Sequence, residues 1–202
     1  MQDAKEMPDL FTQNEGFLMN PRESLAFEIK GWLDLKEKCS KQTLAKSITA
    51  LINHGGGRIL IGYTSPSNNE MDYEPDPNSQ YINQYTTDKI NNVVRGFVEP
   101  SMHCEVLLQM HGTLQQMFPI IVVPPGIVPT RLKKGDNSNE QANTYFIRKP
   151  GPCSEPASNA NEWKTLIHRC VLNDKDTLLN DFRRILEYTG YQHSSTESQR
   201  KK

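Results

Sequence analysis

The run of three glycines at residues 55–57 constrains the fold more than any other feature of the sequence. Before it, apolar residues recur at helical spacing between Lys41 and His54, and directly after it comes the apolar segment 58–62, RILIG. Glycine adopts the left-handed backbone that ends a helix, and a short apolar run bounded by turn residues is typical of a buried strand. The sequence therefore predicts a helix, a tight turn and a buried strand. This order is the reverse of a phosphate-binding loop, so no nucleotide-binding motif is recognised.

The periodicities around this unit predict a mixed α/β pattern. Residues 25–30 alternate, with Phe27 and Ile29 on one face and Glu28 and Lys30 on the other, which indicates a half-buried strand. Further along, we expect a helix from Thr87, strands near 103–110, 117–123 and 144–149, and two apolar helical stripes from residue 163. The predicted fold class is α/β (α+β), a single mixed β-sheet flanked by helices with a C-terminal helical pair.

Changes in composition predict the domain organisation. Residues 1–20 are polar and aperiodic, which indicates a flexible leader, and residues 191–202 are typical of a disordered tail. Between them we expect one domain over 21–157, with C-terminal helices over 158–190 packed on it. The polar segment 63–85 predicts a long loop.

Charge, hydropathy and cysteine content restrict the partners and the compartment. The 23 Lys and Arg residues nearly balance 24 Asp and Glu residues, so a nucleic-acid site would have to be a local basic patch. No apolar run is long enough to cross a bilayer, and residues 1–19 lack the apolar core of a signal peptide. The four cysteines are scattered without a zinc spacing, so no zinc site is recognised. A cytoplasmic protein without a membrane partner is predicted.

An ordered series of motifs resembles the Schlafen AlbA-like domain. The segment 23–33, ESLAFEIKGWL, provides Glu23, Glu28 and Lys30, and the segment 50–63 provides a helix ending in Asn53, the glycines and the Ile61-Gly62 strand end. The later matches are Glu99-Pro100, Val122-Val123-Pro124, and Tyr145-Phe146-Ile147-Arg148 with Gly151. The resemblance covers roughly residues 20–170 and implies a domain that handles nucleic acid, with RNA favoured.

Glu23, Glu28 and Lys30 are the candidate catalytic residues. Paired carboxylates hold divalent metals, so Glu23 and Glu28 are candidate ligands for Mg or Mn, and Lys30 could hold a phosphate. The resemblance also implies a third acid soon after the Ile-Gly strand. That position holds Tyr63, Thr64 and Ser65 here, and the substitutes open to the chain are Glu70, Asp72, Glu74 and Asp76. The alternative is an ordinary surface ion pair between Glu28 and Lys30.

Basic residues on both sides of one polar loop are the candidate nucleic-acid contacts. Together with Lys30 they are Arg131, Lys133, Lys134, Arg148 and Lys149. Because residues that flank a loop can border the same groove, these side chains could neutralise several phosphates.

Three functions remain open from the sequence. The first is binding of RNA or single-stranded nucleic acid, the second is a metal-dependent endoribonuclease acting on tRNA-like RNA through Glu23 and Glu28, and the third is a non-catalytic assembly domain. The resemblance implies that larger Schlafen proteins carry two such lobes. A chain with one lobe therefore predicts a homodimer, or pairing with a related Schlafen-type lobe.

Overall fold

The computed structural model of the chain describes residues 18, 21–64, 72–73, 76, 81–133 and 142–199, and for residues 72, 176–177 and 185–199 it describes the backbone alone. In chain order its elements are β1 (Phe27–Lys30), α1 (Lys38–His54), β2 (Gly57–Ile61), β3 (Tyr63–Thr64), β4 (Asp72–Tyr73), a 3-10 turn (Ile82–Gln84), α2 (Thr87–Phe97), β5 (Val98–Glu99), β6 (Glu105–His111), β7 (Gln116–Val123), β8 (Arg131–Leu132), β9 (Phe146–Lys149), β10 (Cys153–Pro156) and α3 (Ala160–Gln199).

Four strands form a mixed sheet in the order β1-β2-β7-β6. β1 and β2 run parallel, whereas β7 is antiparallel to both β2 and β6. The short strands form separate antiparallel pairs, β3 with β4, β5 with β8 and β9 with β10. A mixed sheet flanked by helices confirms the predicted fold class. The segment predicted as one long loop contains the β3–β4 hairpin and the 3-10 turn.

The glycine run joins α1 to β2 as predicted. Gly55 has φ of 117° and ends the helix, with its N–H donating to the carbonyls of Leu51 and Ile52. Only glycine takes this left-handed conformation without steric strain. Gly57 already belongs to β2, where its Cα lies against the carbonyl of Ala26, just before β1. The helix itself begins at Lys38, three residues before the predicted start.

Both faces of the central strands β2 and β7 are covered. On one face the inward residues of β2 and β7 pack with α1 and α2 in the main core. On the opposite face Ile29 packs with Leu60, Phe118 and Leu18. Leu18 is 1% exposed and its carbonyl accepts a hydrogen bond from the Tyr63 hydroxyl at 3.2 Å, although it falls within the leader predicted to be flexible. β1 is consequently buried on both sides, and the prediction that its Glu28 face meets solvent is wrong.

The buried side chain of Asn53, at the end of α1, holds the start of β9 and the residue before β8. The Asn53 amide donates to the carbonyls of Thr130 and Phe146 at 2.7 and 2.8 Å and accepts from the N–H of Thr130 at 2.8 Å. Because buried backbone polar groups need partners, one side chain satisfies three of them. This docking holds β9 against α1.

The C-terminal apolar stripes lie on one continuous helix, α3, where the sequence predicted a pair. Neither glycine nor proline occurs from residue 160 to 189, so nothing interrupts the backbone hydrogen bonds between the two stripes. The helix runs to Gln199, past the predicted start of the tail at residue 191. In the described parts of the chain, we find no helix with both the length and the apolar character to cross a membrane.

Candidate functional site

Glu28 occupies the middle of β1, and its carboxylate points toward α1. Its Oε1 accepts hydrogen bonds from Ser47 Oγ and from Lys30 Nζ, both at 2.7 Å. Glu28 is 3% exposed, whereas the Lys30 side chain keeps 29% of its surface in solvent. The period of two along the strand places both side chains on one face, as the sequence predicted.

Arg148 closes the other side of the carboxylate. Its Nη1 donates to Glu28 Oε2 at 2.6 Å and to Ser154 Oγ at 3.1 Å. Its Nη2 donates to the carbonyls of Ser24 and Phe27 at 2.8 and 3.2 Å. The guanidinium therefore caps the outer edge of β1 and holds the Glu28 charge at the same time.

The resulting cluster carries a net positive charge. Burial by itself would raise the pKa of Glu28, but the ammonium of Lys30, the hydrogen bonds from Lys30 and Ser47, and the charge of Arg148 together lower that pKa below its ordinary value of 4.5. Glu28 is thus ionised at neutral pH. One carboxylate is shared between two cations, and the more exposed member of the cluster is an ammonium group.

The lowered pKa of Glu28 predicts a pH dependence of stability. A carboxylate whose pKa is lower in the folded state contributes stability above its ordinary value of 4.5, and this is lost as pH falls through the folded value. We expect Glu28→Gln to be less stable than wild type at pH 7, with the difference shrinking below about pH 4. Urea unfolding of both proteins between pH 7 and pH 2 measures this, and a difference that does not change with pH would contradict the assignment.

The Glu23 and Glu28 carboxylates do not fit a divalent cation in this arrangement. Both oxygens of Glu28 already accept from cationic or hydroxyl donors, and Glu23 Oε1 accepts from the N–H of Ile29 at 3.1 Å. A divalent metal needs several oxygen ligands that are free of competing cations. Within the described ranges, no group of three His, Cys, Asp or Glu side chains is placed to hold a metal ion.

None of the four acids named as substitutes for a third ligand is placed near Glu28 within the described residues. The Asp76 carboxylate accepts from the N–H groups of Tyr81 and Ile82, at 3.2 and 3.1 Å, ahead of the 3-10 turn. The backbone of Asp72 pairs with Thr64 in the β3–β4 hairpin, and its side chain lies outside the description. Glu70 and Glu74 are outside the described residues.

The structure separates the predicted basic contacts into two places. Arg131 pairs with Glu99 at 2.6 Å, and Lys133 Nζ donates to the carbonyl of Arg95 at 2.7 Å, both near the C-terminal end of α2. Lys149, on β9, pairs with Glu162 of α3 at 2.7 Å. Lys134 lies outside the described residues.

Arg148 was expected to contact nucleic acid, but the structure gives it an internal position. Its side chain is only 1% exposed, because both faces of β9 are covered and Phe146, Ile147 and Arg148 are all buried. Its Nη1 and Nη2 groups are already hydrogen-bonded to protein acceptors. Lys30 remains as the solvent-accessible cation of this cluster.

The sequence interpretation missed Ser47 and Ser154, the two hydroxyls that complete the cluster. Ser47 is 19 residues from Glu28 along the chain, and Ser154 is 126 residues away. Neither belongs to the motif series, and serine has no pattern of its own in a helix or a strand. Their roles become visible only once α1, which carries Ser47, and β10, which carries Ser154, are placed beside β1.

Comparison with known proteins shows a shared fold. No protein-family model matches the chain, and no curated protein matches it. Among solved structures, the DIP2311 protein from Corynebacterium diphtheriae superimposes with a TM-score of 0.51 and 15% identity, over 77% of this chain and 28% of that one. The N-terminal domain of a RecG-related protein from Nitrosomonas europaea gives 0.42 and 14%, over 76% and 98%. At 15% identity, the similarity to the DIP2311 protein shows a shared architecture alone. Any activity has to be argued from the residues of the site.

Proposed function

We propose that the chain is a Schlafen AlbA-like domain that binds RNA or single-stranded nucleic acid, with Lys30 as a central phosphate contact. The observation that carries this proposal is the net positive charge of the Glu28 cluster, in which the Lys30 ammonium is the accessible group. The ordered motif series of residues 20–170 supports the family assignment, and the mixed sheet is consistent with it.

The ion pair with Glu28 leaves Lys30 able to bind an anion. An ammonium group has three donors, and the pair with Glu28 uses one of them. Arg148 balances the Glu28 charge from inside the protein, so an incoming phosphate does not leave a buried carboxylate unpaired. Hence the cluster suits a phosphate better than a divalent cation.

Arg131, Lys133 and Lys149 would add contacts at the periphery. Each already has a protein partner, namely Glu99, the Arg95 carbonyl and Glu162. A phosphate must therefore compete with existing bonds, which predicts weak to moderate binding that depends strongly on salt.

Removing the Lys30 ammonium should weaken RNA binding and flatten its salt dependence. For Lys30→Ala, the slope of log affinity against log salt is expected to fall by about 0.7–1, the value for one lost phosphate contact. Fluorescence anisotropy with a labelled single-stranded RNA measures this slope. The titrations are repeated between about 50 and about 300 mM KCl, a range that brackets physiological ionic strength. Lys175→Ala, an exposed lysine on α3, is the matched control.

An unchanged slope in Lys30→Ala would contradict the proposed contact. The same RNA, incubated with the wild-type protein in Mn²⁺ or in chelator and examined on a gel, tests the nuclease alternative. Cleavage in Mn²⁺ that Glu28→Gln abolishes would favour that alternative over simple binding.

Self-assembly is a second candidate function, and the exposed apolar stripe of α3 favours it. Val171, Leu178 and Phe182 are 59%, 51% and 62% exposed, although they recur at helical spacing. A second copy is the partner that the stripe fits, because antiparallel pairing of two α3 helices brings the apolar stripe of one copy onto that of the other.

Pairing through α3 predicts a dimer in solution. Light scattering at micromolar concentration should give twice the chain mass of 23.1 kDa, and Phe182→Ser should give the monomer mass. Burial of apolar surface drives such pairing, so a polar substitution at Phe182, the most exposed of these three apolar residues, disrupts it. Ile127→Ser, at an exposed apolar residue outside α3, is the control. A wild-type mass of 23.1 kDa would contradict this candidate.

A further inference from the structure

Strand β6 forms one edge of the four-stranded sheet, and β1 forms the other. At the β1 edge, Arg148 donates to the carbonyls of Ser24 and Phe27. At the β6 edge, no strand pairs with the outer side within the described residues. An edge strand presents backbone N–H and C=O groups that another chain can bind. The outer side of β6 is therefore a candidate interaction surface.

Val106, Leu108 and Met110 direct their backbone groups away from β7. The N–H of Val106 donates to Thr87 Oγ1 of α2 at 3.2 Å, so this residue faces the outer side. Backbone direction alternates along a strand, so Leu108 and Met110 face the same way. Pro119 of β7 agrees with this assignment, because it lies opposite Leu108 and has no N–H to contribute to a hydrogen-bonded pair.

Helix α2 covers only the beginning of this edge. Asn91 binds both backbone groups of Cys104, accepting from its N–H at 2.9 Å and donating to its carbonyl at 2.8 Å. Thr87 binds the next outward N–H. In the part of the chain that the structure describes, the outward N–H and C=O groups of Leu108 and Met110 have no hydrogen-bond partner. The open part of the edge thus runs from Leu108 to Met110.

The side chains along the open part are apolar and exposed. Leu108 and Met110 are each 46% exposed. They share a face with Val106, which packs against the main core on the side of the sheet that α1 and α2 cover. Charges and prolines usually protect an edge strand, and residues 106–110, VLLQM, contain neither. Because no basic residue is among them, this edge lacks the group that attracts a nucleic-acid backbone.

We propose that β6 binds an extended peptide segment of another protein, which adds a fifth strand antiparallel to β6. Two alternate residues of the peptide exchange backbone hydrogen bonds with Leu108 and Met110. The side chains of the same two residues lie against Leu108 and Met110, so they are apolar and uncharged. The partner is therefore defined by an extended backbone with apolar residues at every second position.

A second copy of β6 fits this edge less well than a free peptide does. Two copies that exchange bonds through the open residues need a two-fold axis at Gln109, which places Gly112 of the copy opposite Val106. There Thr87 Oγ1 already lies 3.2 Å from the Val106 nitrogen and holds the position that the Gly112 carbonyl would take. A peptide can leave the plane of the sheet before it reaches α2.

Titration of the protein with a peptide, followed by NMR, tests the proposal. The probe is the soluble peptide acetyl-Lys-Thr-Val-Thr-Val-Thr-Lys-amide, whose two valines supply the alternate apolar residues. We expect binding with Kd of about 0.1–1 mM, together with shifts of the amide signals of Leu108 and Met110. Methylation of both valine N–H groups removes the donors that face β6 and should weaken binding at least about tenfold. Methylation of the threonine N–H between them, which faces away, should leave binding unchanged.

Two variants of Leu108 test the protein side. Leu108→Pro removes an outward N–H without disturbing the bonds to β7, because this residue lies opposite Pro119 in a pair that is not hydrogen-bonded. It should weaken peptide binding at least about tenfold. Leu108→Lys adds the charge that protects natural edge strands and should also weaken binding, so the test does not depend on one variant. Val128→Lys, at an apolar residue that is 47% exposed outside β6, should bind as wild type does.

The inference is overturned if the peptide shifts no amide signal of β6, if the valine-methylated peptide binds as well as the unmodified one, or if both Leu108 variants bind as wild type does. Shifts of the same signals that grow with protein concentration, without peptide, would assign the edge to a second copy and overturn it as well. Lys30→Ala separates this inference from the proposed RNA binding, because it should weaken RNA binding and leave peptide binding unchanged.

Discussion

Replacing Arg148 with methionine is expected to lower the free energy of unfolding by about 3–5 kcal/mol, because it removes one partner of a buried ion pair. The Glu28 carboxylate is 3% exposed and would keep Lys30 as its remaining cation. The carbonyls of Ser24 and Phe27 would also lose their Arg148 donor at the edge of β1. Methionine preserves most of the side-chain volume, so urea unfolding reports mainly on the lost charge and hydrogen bonds.

Arg131→Met is the matched control for this experiment. Arg131 makes a pair of the same length with Glu99, 2.6 Å, but the two side chains are 38% and 48% exposed. Water screens exposed pairs, so the control should be much less destabilised than Arg148→Met. Equal losses in the two variants would contradict the buried-pair assignment. The double variant Glu28→Leu/Arg148→Met removes both charges and should recover part of the loss.

Local patterns explain why the sequence could predict β1, α1 and β2. The alternation around Glu28, the helical spacing before His54 and the glycines at 55–57 all act within a few residues of one another. The pairing of Glu28 with Lys30 follows from the same period of two. Such features are predictable because the backbone geometry alone places the side chains.

The function of Arg148 depends on a contact across 120 residues, which no local pattern contains. Its basic neighbour Lys149 suggested an exposed cluster, but β9 is covered on both faces, so three consecutive residues up to Arg148 are buried. The covering of the Glu28 face could not be predicted for the same reason, because β9 is held against α1 by long-range contacts such as the hydrogen bond from Asn53 to the Phe146 carbonyl.

Replacing Gly57 with alanine should have an effect comparable to the loss of Arg148, although alanine adds a single methyl group. A Cβ at this position would lie 2.3 Å from the Ala26 carbonyl oxygen and 2.9 Å from Leu51 Cδ2. The carbonyl is backbone beside β1, so relief of the clash must move β1 away from β2. Overpacking usually costs about 1–3 kcal/mol, and we expect at least about 3 kcal/mol here because the obstructing atom cannot rotate away.

Gly96→Ala is the contrasting variant, because we expect it to raise the free energy of unfolding where Gly57→Ala lowers it. Gly96 lies in α2, and a Cβ there meets nothing within 4 Å. Alanine should therefore stabilise the protein by about 0.5–1 kcal/mol, through its higher helix propensity and the smaller entropy of its unfolded chain. A destabilised Gly57→Ala beside a stabilised Gly96→Ala would show that the glycine run serves the close approach of β1 and β2. Similar unfolding midpoints for Gly57→Ala and wild type would instead mean that β1 can shift, and with it the Glu28 cluster that β1 carries.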